Sequence, residues 1–465
     1  MPVADLLPEL ALLVGAVVIV LFASFSPRSY QPVCAGLALV AIALAVFFTV
    51  MQSGGAPRLT FSGVWALDTM AIYAKLLMLV SGAFAIALSP RWMETDRRHG
   101  EYYALLLFSL LGAVMMASAT DSMELIVGVL LSSVTGYALV AYHRAWAPAL
   151  EAGMKYFLIG ALANALFVIG IVLIFGLTGA TGYPDIALEL PRHDSPLIVI
   201  VALAFVVIGL AFKLGAFPAH AWLPDVAQGA PAPVAALLTV VPKIGAAIAL
   251  VRFVQLLPGT IEWAWVIAGI SALTMTLGNL GAMWQNDFRR LLGWSAVSQS
   301  GYALMAVAVV GASDEAVPSL LVFLAAYAVA NITAFAAVVH LRGRTALDDY
   351  RGLARVRPWT TIAIILALLS FVGIPPLAGF FGKFLLFRAT LDGGYAWLVV
   401  VALANTVLSL FYYLRVIGPI VFDKPAGEVS DLGKTAAAAL MVAALLVLAL
   451  GLWAQGLIAL AVSGT

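Results

Sequence analysis

The chain is a series of long apolar stretches separated by short polar segments. A helix needs roughly 20 residues to cross the hydrocarbon of a bilayer, and fourteen apolar stretches of this chain approach or exceed that length. The longest polar stretch, residues 342–357, is too short to bury a core of its own. The pattern therefore predicts a multi-pass helical bundle without a soluble domain. We number its spans 1 to 14, and they cover residues 8–26, 32–51, 67–88, 102–120, 123–142, 152–178, 196–217, 231–255, 261–283, 290–312, 317–341, 358–387, 395–421 and 434–462.

Two of these spans carry breaker residues at similar places. FPAHAWLPD (217–225) interrupts the end of span 7, and PPLAGFFG (375–382) interrupts span 12. If spans 4–8 and 9–13 form two five-helix units, both breaks occupy the fourth place, and an odd number of spans inserts the second unit upside down. Inverted repeats with matching broken helices are a recurrent transporter architecture. We therefore expect an all-α polytopic membrane protein with about 14 transmembrane helices, two inverted five-helix repeats (helices 4–8 and 9–13) and discontinuous helices 7 and 12.

These units also divide the chain. We expect one membrane domain over residues 1–465, with the boundaries of its parts set by the spans. The three N-terminal helices occupy 1–100, the first repeat 101–256, the second repeat 257–422, and the C-terminal helix 423–465.

Composition supports a membrane protein. Hydrophobic residues make up 64% of the chain and charged residues 10%, against about 25% charged in an ordinary soluble domain. The net charge of +1 argues against a nucleic-acid partner. The chain has one cysteine, Cys34, so it cannot build a disulfide framework, a zinc cluster or an iron–sulfur cluster from its own cysteines. We therefore expect no redox cofactor and no metal in this chain.

The positive charges are distributed unequally between the two ends of the spans. Of the 24 Lys and Arg residues, six lie inside spans or near their ends, and four are assigned to one side, at positions 58, 192, 252 and 388. The remaining fourteen lie on the other side, at positions 28, 91, 97, 98, 144, 289, 290, 342, 344, 351, 355, 357, 424 and 434. Because loops rich in Lys and Arg stay in the cytoplasm, we expect both termini on the periplasmic side of a bacterial inner membrane.

The lysines inside the spans are the candidate functional residues. We expect Lys75 and Arg415 to reach the interface by snorkelling. For Lys155, snorkelling and a buried functional role are both open. Lys213, Lys243 and Lys383 lie too deep for that. Burial disfavours the charged form of lysine, so such a residue can gain and lose a proton. The alternative is a lysine satisfied by a buried carbonyl or by a carboxylate of another chain.

His220 lies in the break of span 7. Imidazole titrates near neutrality, which makes His220 a candidate proton relay between Lys213 and Lys243. The alternative is a structural hydrogen-bond partner for the backbone beside the two prolines.

Several stretches resemble a known family. FKLGAFPAHAWLPDVAQGAPAPVAALLTVVPK (212–243), DFRRLLGWSAVSQSGYALM (287–305) and GIPPLAGFFGKFLLF (373–387) are similar to the antiporter-like membrane subunits of the bacterial proton-pumping NADH:quinone oxidoreductase, respiratory complex I. They look more like subunit N than like its sister subunits. The wider family includes subunits of multisubunit cation/proton antiporters and energy-converting hydrogenases.

The resemblance implies a role for each matched lysine. Lys213 resembles the seventh-helix lysine that holds and passes a proton, Lys243 the eighth-helix lysine that connects it inward, and Lys383 the twelfth-helix lysine on the far side. It also implies a translocase subunit that works beside homologous antiporter-like subunits and exchanges protons. Flavin, iron–sulfur clusters and quinone then belong to partner subunits.

One departure from the family pattern concerns the fifth helix. Family members usually carry a glutamate there that pairs with the seventh-helix lysine, and Leu130 occupies that position here. Glu124, six residues earlier, lies about 9 Å away along a helix and is rotated by roughly 240°. Either Lys213 has another partner, such as Glu124 through water or a carboxylate of a neighbouring subunit, or the module is weakened or silent. A subunit of a cation/proton antiporter and a non-transporting scaffold remain alternative functions.

Overall fold

The computed structural model is a bundle of helices with one small β-hairpin. It describes residues 2–94, 96, 99–192, 196–257, 262–427 and 433–462. Two positions used in the charge count, 97 and 98, and the first residue of predicted span 9, 261, lie outside this part of the chain. Short 3₁₀ helices cover Val3–Leu6, Arg28–Tyr30, Leu190–Arg192 and Leu347–Tyr350. The hairpin pairs β1 (Arg58–Thr60) with β2 (Trp65–Leu67) in antiparallel fashion.

The α-helices follow the predicted spans. In chain order they are α1 (Leu7–Phe25), α2 (Val33–Gln52), α3 (Thr69–Trp92), α4 (Gly100–Ser118), α5 (Ser122–Val140), α6 (Ala147–Thr178), α7 (Tyr183–Glu189), α8 (Pro196–Leu214), α9 (Trp222–Gly229), α10 (Ala232–Leu238), α11 (Val241–Val254), α12 (Trp263–Met283), α13 (Phe288–Ala308), α14 (Ala316–His340), α15 (Leu353–Val356), α16 (Pro358–Val372), α17 (Ala378–Asp392), α18 (Ala396–Phe422), α19 (Lys434–Leu452) and α20 (Ala454–Val462). Every predicted span coincides with a helix or with a pair of consecutive helices, which confirms the all-α polytopic class.

Within the described residues, twelve helices are long and apolar enough to cross a membrane. The two predicted spans that fail this test are 10 and 12. Span 10 is α13, which carries many polar side chains, and span 12 is divided into α16 and α17, of 15 residues each. Both exceptions contribute to the site described below.

Side-chain caps begin several helices where the sequence places an aspartate. Asp68 accepts a hydrogen bond from the amide of Ala71 at the start of α3, and Asp287 accepts one from the amide of Arg290 at the start of α13. At α5, Asp121 accepts from Met123. An aspartate oxygen in this position satisfies a backbone donor that the first turn leaves free.

The core surrounds the two most enclosed helical segments. The apolar windows of residues 232–254 (α10 and α11) and of α14 are completely buried, whereas only about a third of the corresponding window is buried in α1 and α19. Close packing depends on small residues: a Cβ added at Gly278 of α12 would lie 2.3 Å from the amide nitrogen of Ser298 of α13. The residues that fill this core include the candidate lysines.

Two of the breaks in the helices were predicted, and a third was not. Span 7 is interrupted after α8, and span 12 is interrupted between α16 and α17, as expected. Span 8, predicted as one continuous helix, is also interrupted, between α10 and α11. Pro242 has no amide hydrogen, and the amide of Val240 donates to the carbonyl of Leu237, three residues back, so the regular backbone ladder is interrupted. The inverted relation of the two five-helix units stays a prediction.

Candidate functional site

The break in span 7 begins directly after Lys213. Gly215 adopts a left-handed conformation with φ of 69°, which only glycine takes without strain. The amide of Ala216 then donates to the carbonyl of Ala211 at 2.8 Å. The indole nitrogen of Trp222, at the start of α9, donates to the carbonyl of Phe212 at 3.0 Å. These bonds satisfy the end of α8 inside the protein, where loose backbone is tolerated only if it is buried or lines water.

Lys213 is the least satisfied of the three deep lysines. It is 1% exposed, and among the described residues its ammonium group has no hydrogen-bond partner and no ion pair. The ring of Phe212 lies 5.8 Å from Nζ. A buried, unpaired lysine is costly in a membrane protein and marks a functional site. Among the described residues no carbonyl accepts a hydrogen bond from Lys213, and a carboxylate of another chain stays a predicted alternative.

Lys243 lies in the first turn of α11, beside the break in span 8. Its ammonium group donates to the carbonyl of Ala296 of α13 at 2.6 Å and to the hydroxyl of Tyr327 of α14 at 3.3 Å. The Tyr327 hydroxyl in turn donates to the carbonyl of Thr239 at 2.8 Å, and the side-chain amide of Asn331 donates to the Thr239 hydroxyl at 2.7 Å. The break thus supplies polar groups that surround a lysine that is only 2% exposed.

Lys383 lies in α17, after the break in span 12. It is 4% exposed and donates to the carbonyl of Val372, the last residue of α16, at 3.2 Å. Gly373 is left-handed, with φ of 91°, and the helix ends there, so the Val372 carbonyl has no partner in a further turn of helix. The ring of Tyr302 of α13 lies 4.0 Å from Nζ, within the range of a cation–π interaction.

The polar helix α13 contacts the surroundings of all three lysines. The Ser300 hydroxyl donates to the carbonyl of Leu214, the residue after Lys213, at 2.5 Å, and it also lies 3.0 Å from the carbonyl of Ala296, which accepts from Lys243. Two residues further on, Tyr302 covers Lys383. The side-chain amide of Gln299 donates to the carbonyl of Phe371 beside Val372. Helix α13 therefore contacts each of the three lysines or a residue next to it.

His220 lies beside this site without joining it. The backbone of Pro218 lies next to its ring, which is 5.9 Å from the ring of Trp294 and 6.2 Å from that of Phe217. No hydrogen bond described in the structure connects it to Lys213 or Lys243. Its backbone carbonyl accepts from the amide of Leu223 at 3.0 Å, which helps to start α9.

Glu124 and Leu130 lie away from Lys213. Leu130 is 37% exposed on α5. Glu124 is half-buried at the start of the same helix, where it lines a cavity with Glu9 of α1. No ion pair described in the structure joins Glu124 to Lys213.

The other lysines and Arg415 behave differently from one another. The expectation that Lys75 snorkels is wrong: it is completely buried, and its Nζ lies 2.6 Å from a carboxylate oxygen of Glu9. Glu9 lies far from Lys75 in sequence and offers a countercharge inside the bundle, so the side chain has no need to reach water. Lys155 is 44% exposed and pairs with Glu151 at 2.7 Å. Arg415 is exposed and donates to the carbonyl of Met283 at 2.7 Å, near the end of α12.

Sequence reasoning missed several residues of this site. Thr239, Ser300 and Tyr327 were not among the candidates, although each is a polar residue inside an apolar span. That signal could have found them, because an uncharged polar side chain in such a helix also needs a partner. The backbone carbonyls of Ala296 and Val372 could not have been found, because any residue type supplies a carbonyl.

Comparisons with known proteins agree with one another. Residues 119–409 match the family model described as "NADH:quinone oxidoreductase/Mrp antiporter, TM". The chain is 45% identical to NADH-quinone oxidoreductase subunit N of Mycobacterium sp. (strain JLS), over 91% of this chain and 89% of that protein. It is 43% identical to NADH-quinone oxidoreductase subunit N 1 of Streptomyces griseus, over 90% and 88%. Among solved structures, it is similar to a chain of respiratory complex I from Thermus thermophilus with bound aureothin, with 31% identity, a TM-score of 0.86 and coverage of 98% and 100%.

Proposed function

The chain belongs to the family of NADH-quinone oxidoreductase subunit N, and we propose that Lys213, Lys243 and Lys383 carry protons through it in series. It is a membrane subunit of the proton-translocating complex, and the chemical step that it contributes is proton transfer. The observation that carries the proposal is the common contact of α13 with the surroundings of all three lysines. Three deep lysines joined by one polar helix form a route, whereas three isolated lysines would only destabilise the bundle.

The local contacts suggest what each group does. The Ala296 carbonyl and the face of the Tyr327 ring, 4.5 Å from Nζ, stabilise a charged Lys243. The Val372 carbonyl and the Tyr302 ring do the same for Lys383. Lys213 has only the more distant Phe212 ring, 5.8 Å from Nζ, and no hydrogen-bond acceptor among the described residues, so its charged form is the least stable of the three. A proton on Lys213 therefore gains stabilisation when it moves to Lys243, and this favours proton transfer from Lys213 toward Lys243.

Hydroxyl groups near the lysines can pass on a proton, which backbone carbonyls cannot do. A backbone carbonyl accepts a hydrogen bond but has no proton to pass on. The Ser300 hydroxyl, between Leu214 and Ala296, and the Tyr327 hydroxyl, between Lys243 and Thr239, can both donate and accept. We assign them to the relay, together with water in the breaks of spans 7, 8 and 12. His220 stays a candidate member at the edge of the first break.

The remaining assignments follow from the family and the composition. The chain supplies the membrane route for protons, and partner subunits of the membrane arm, including homologous antiporter-like subunits, supply the rest of the machinery. NADH, quinone, flavin and iron–sulfur clusters are assigned to those partners. Among the residues that the structure describes, no three His, Cys, Asp or Glu side chains are grouped to hold a metal ion. We place the chain in a bacterial inner membrane with both termini in the periplasm.

Purification of the intact assembly tests this function. A tagged chain, extracted gently from its membrane, is expected to copurify with flavin, iron–sulfur clusters and NADH:quinone reductase activity, because a membrane-arm subunit is held by its partners. The measurement is the flavin and iron content and the quinone-reductase rate of the tagged preparation, with an untagged strain as the control. Recovery of membrane subunits alone, without redox centres, would support the cation/proton antiporter instead.

Restoring a glutamate at position 130 distinguishes an active module from a silent one. We expect Leu130→Glu to leave the number of protons moved per NADH oxidised nearly unchanged, because position 130 is 37% exposed whereas Lys213 is 1% exposed. The measurement is proton uptake by sealed vesicles during NADH oxidation. Val127→Glu is the matched control, since Val127 lies one turn earlier on the same face of α5 and is 50% exposed. A large gain for Leu130→Glu alone would show that the natural module is silent for lack of that carboxylate.

A further inference from the structure

A second group of titratable residues lies outside the lysine relay, where α1, α3 and α5 begin. Glu9 of α1 is 6% exposed, and one of its carboxylate oxygens lies 2.6 Å from Nζ of Lys75 of α3. Lys75 is completely buried, and the ring of Trp65 lies 5.3 Å from its ammonium group. An ion pair this deep is expensive to keep in the interior unless it has a use. The relay proposed above makes no use of it.

A cavity adjoins this ion pair. It has a volume of about 310 Å³, and Glu9 and Glu124 are the two charged residues that line it. Its other walls are apolar or aromatic, and Phe61, Val64 and Trp65 of the β-hairpin close one side. Glu124 and Leu13 at its rim are partly exposed. The cavity has room for several water molecules, since each occupies about 30 Å³ in the liquid.

The second carboxylate oxygen of Glu9 is buried and has no hydrogen-bond partner among the described residues, which is uncommon for a buried polar atom. Lys75 neutralises one carboxylate, so two carboxylates and one ammonium group leave one negative charge in excess. A single bound proton removes this excess.

We propose that Glu9, Lys75 and Glu124 form a proton-binding site that exchanges protons with water through this cavity. In the binding step, a hydronium ion transfers its proton to a carboxylate oxygen of Glu124 and leaves as water; the reverse step returns the proton to water. Calcium fits less well, because it takes about six to eight oxygen ligands and the leucines and methionine of the walls offer none. The site is distinct from the route formed by Lys213, Lys243 and Lys383.

Of the other charged groups around this site, two aspartates are paired with arginines and a third caps a helix. Asp5 pairs with Arg58 at 2.7 Å, and Asp68, the cap of α3, pairs with Arg252 of α11 at 2.8 Å. Asp121 caps α5. Helix α4 contributes only Leu111 and Met115 to the cavity.

One of these pairs involves α11, the helix that carries Lys243. Arg252 also donates to the carbonyl of Ala117 of α4 at 3.1 Å. It therefore ties the far end of α11, the helix that carries Lys243, to the helices that surround the cavity.

Infrared difference spectroscopy of the purified, assembled complex tests the proposal. Spectra at low and high pH are subtracted, and the carbonyl band of a protonated carboxyl group is followed. We expect the wild-type band to be lost in Glu124→Gln, shifted in Glu9→Gln and retained in Glu124→Asp, which keeps a carboxyl group at the same place. Glu151→Gln is the matched control and should leave the band intact, because Glu151 is 67% exposed and lies on α6.

The same preparations are used to check that each variant assembles and that the bound ion is a proton. NADH:quinone reductase activity shows that each variant has assembled, and these carboxyl bands do not depend on the lysine relay. An identical band in wild type, Glu9→Gln and Glu124→Gln would overturn the proposal. A band that responds to sodium chloride at constant pH would also overturn it, in favour of a cation site.

Discussion

Lys243→Met is expected to abolish proton transfer through this chain while the folded bundle remains. Methionine keeps most of the length and the apolar character of the lysine stem, so packing around it changes little. It cannot hold a proton, and it removes the group that connects the Ala296 carbonyl to the Tyr327 hydroxyl. The measurement is the rate of proton uptake by sealed vesicles during NADH oxidation, normalised to the amount of assembled complex.

The control for Lys243→Met is Lys155→Met. Lys155 is 44% exposed and forms ion pairs with Glu151 and Asp225, and exposed pairs contribute only about 0–1 kcal/mol. Its replacement should leave proton uptake close to the wild-type value. Undiminished uptake in Lys243→Met would contradict the relay and favour a structural role for the chain as a scaffold.

Arg289→Met is expected to destabilise the segment that holds the break of span 7. Arg289 is 1% exposed, and its guanidinium group donates to the carbonyls of Ala227 and Ala230 at the end of α9. Each buried acceptor left without a partner costs about 1–3 kcal/mol, so the loss in stability should be about 2–6 kcal/mol. The measurement is the fraction of the chain that stays soluble and assembled after heating in detergent.

Arg290 provides the matched control. It follows Arg289 on α13 and contacts the same helix through Asp225 and Gln228, but it is 31% exposed. Arg290→Met should lower stability by no more than about 1 kcal/mol, because an exposed ion pair is screened by water. Equal losses in the two variants would show that the Arg289 contacts with α9 have no special importance.

The helices were predictable because their existence depends on a strong local signal. A run of about 20 apolar residues in this chain has to form a buried or lipid-facing helix, and all fourteen predicted spans are helical. The breaks in spans 7 and 12 were predictable for the same reason, since glycine and proline cluster there. The break in span 8 was not, because Pro242 also suits the first turn of a helix, and the sequence alone did not show that a helix ends before it.

The candidate site was only partly predictable. The depths of Lys213, Lys243 and Lys383 followed from their positions in apolar spans. The error for Lys75 arose because its partner, Glu9, lies on another helix, and distance from a helix end does not reveal which helices pack together. Ser300 was overlooked because only charged residues were considered inside the spans, and its acceptors are backbone carbonyls that the sequence does not distinguish.

The central claim is that three lysines act in series, and the ratio of protons moved to NADH oxidised tests it most directly. We would measure this ratio in Lys213→Met, Lys243→Met and Lys383→Met and in the double variant Lys213→Met/Lys383→Met. A serial route predicts that all three single variants lower the ratio to the same value and that the double variant lowers it no further, because one missing station already stops the transfer. Unequal single losses that add up in the double variant, or an unchanged ratio in any single variant, would contradict the series.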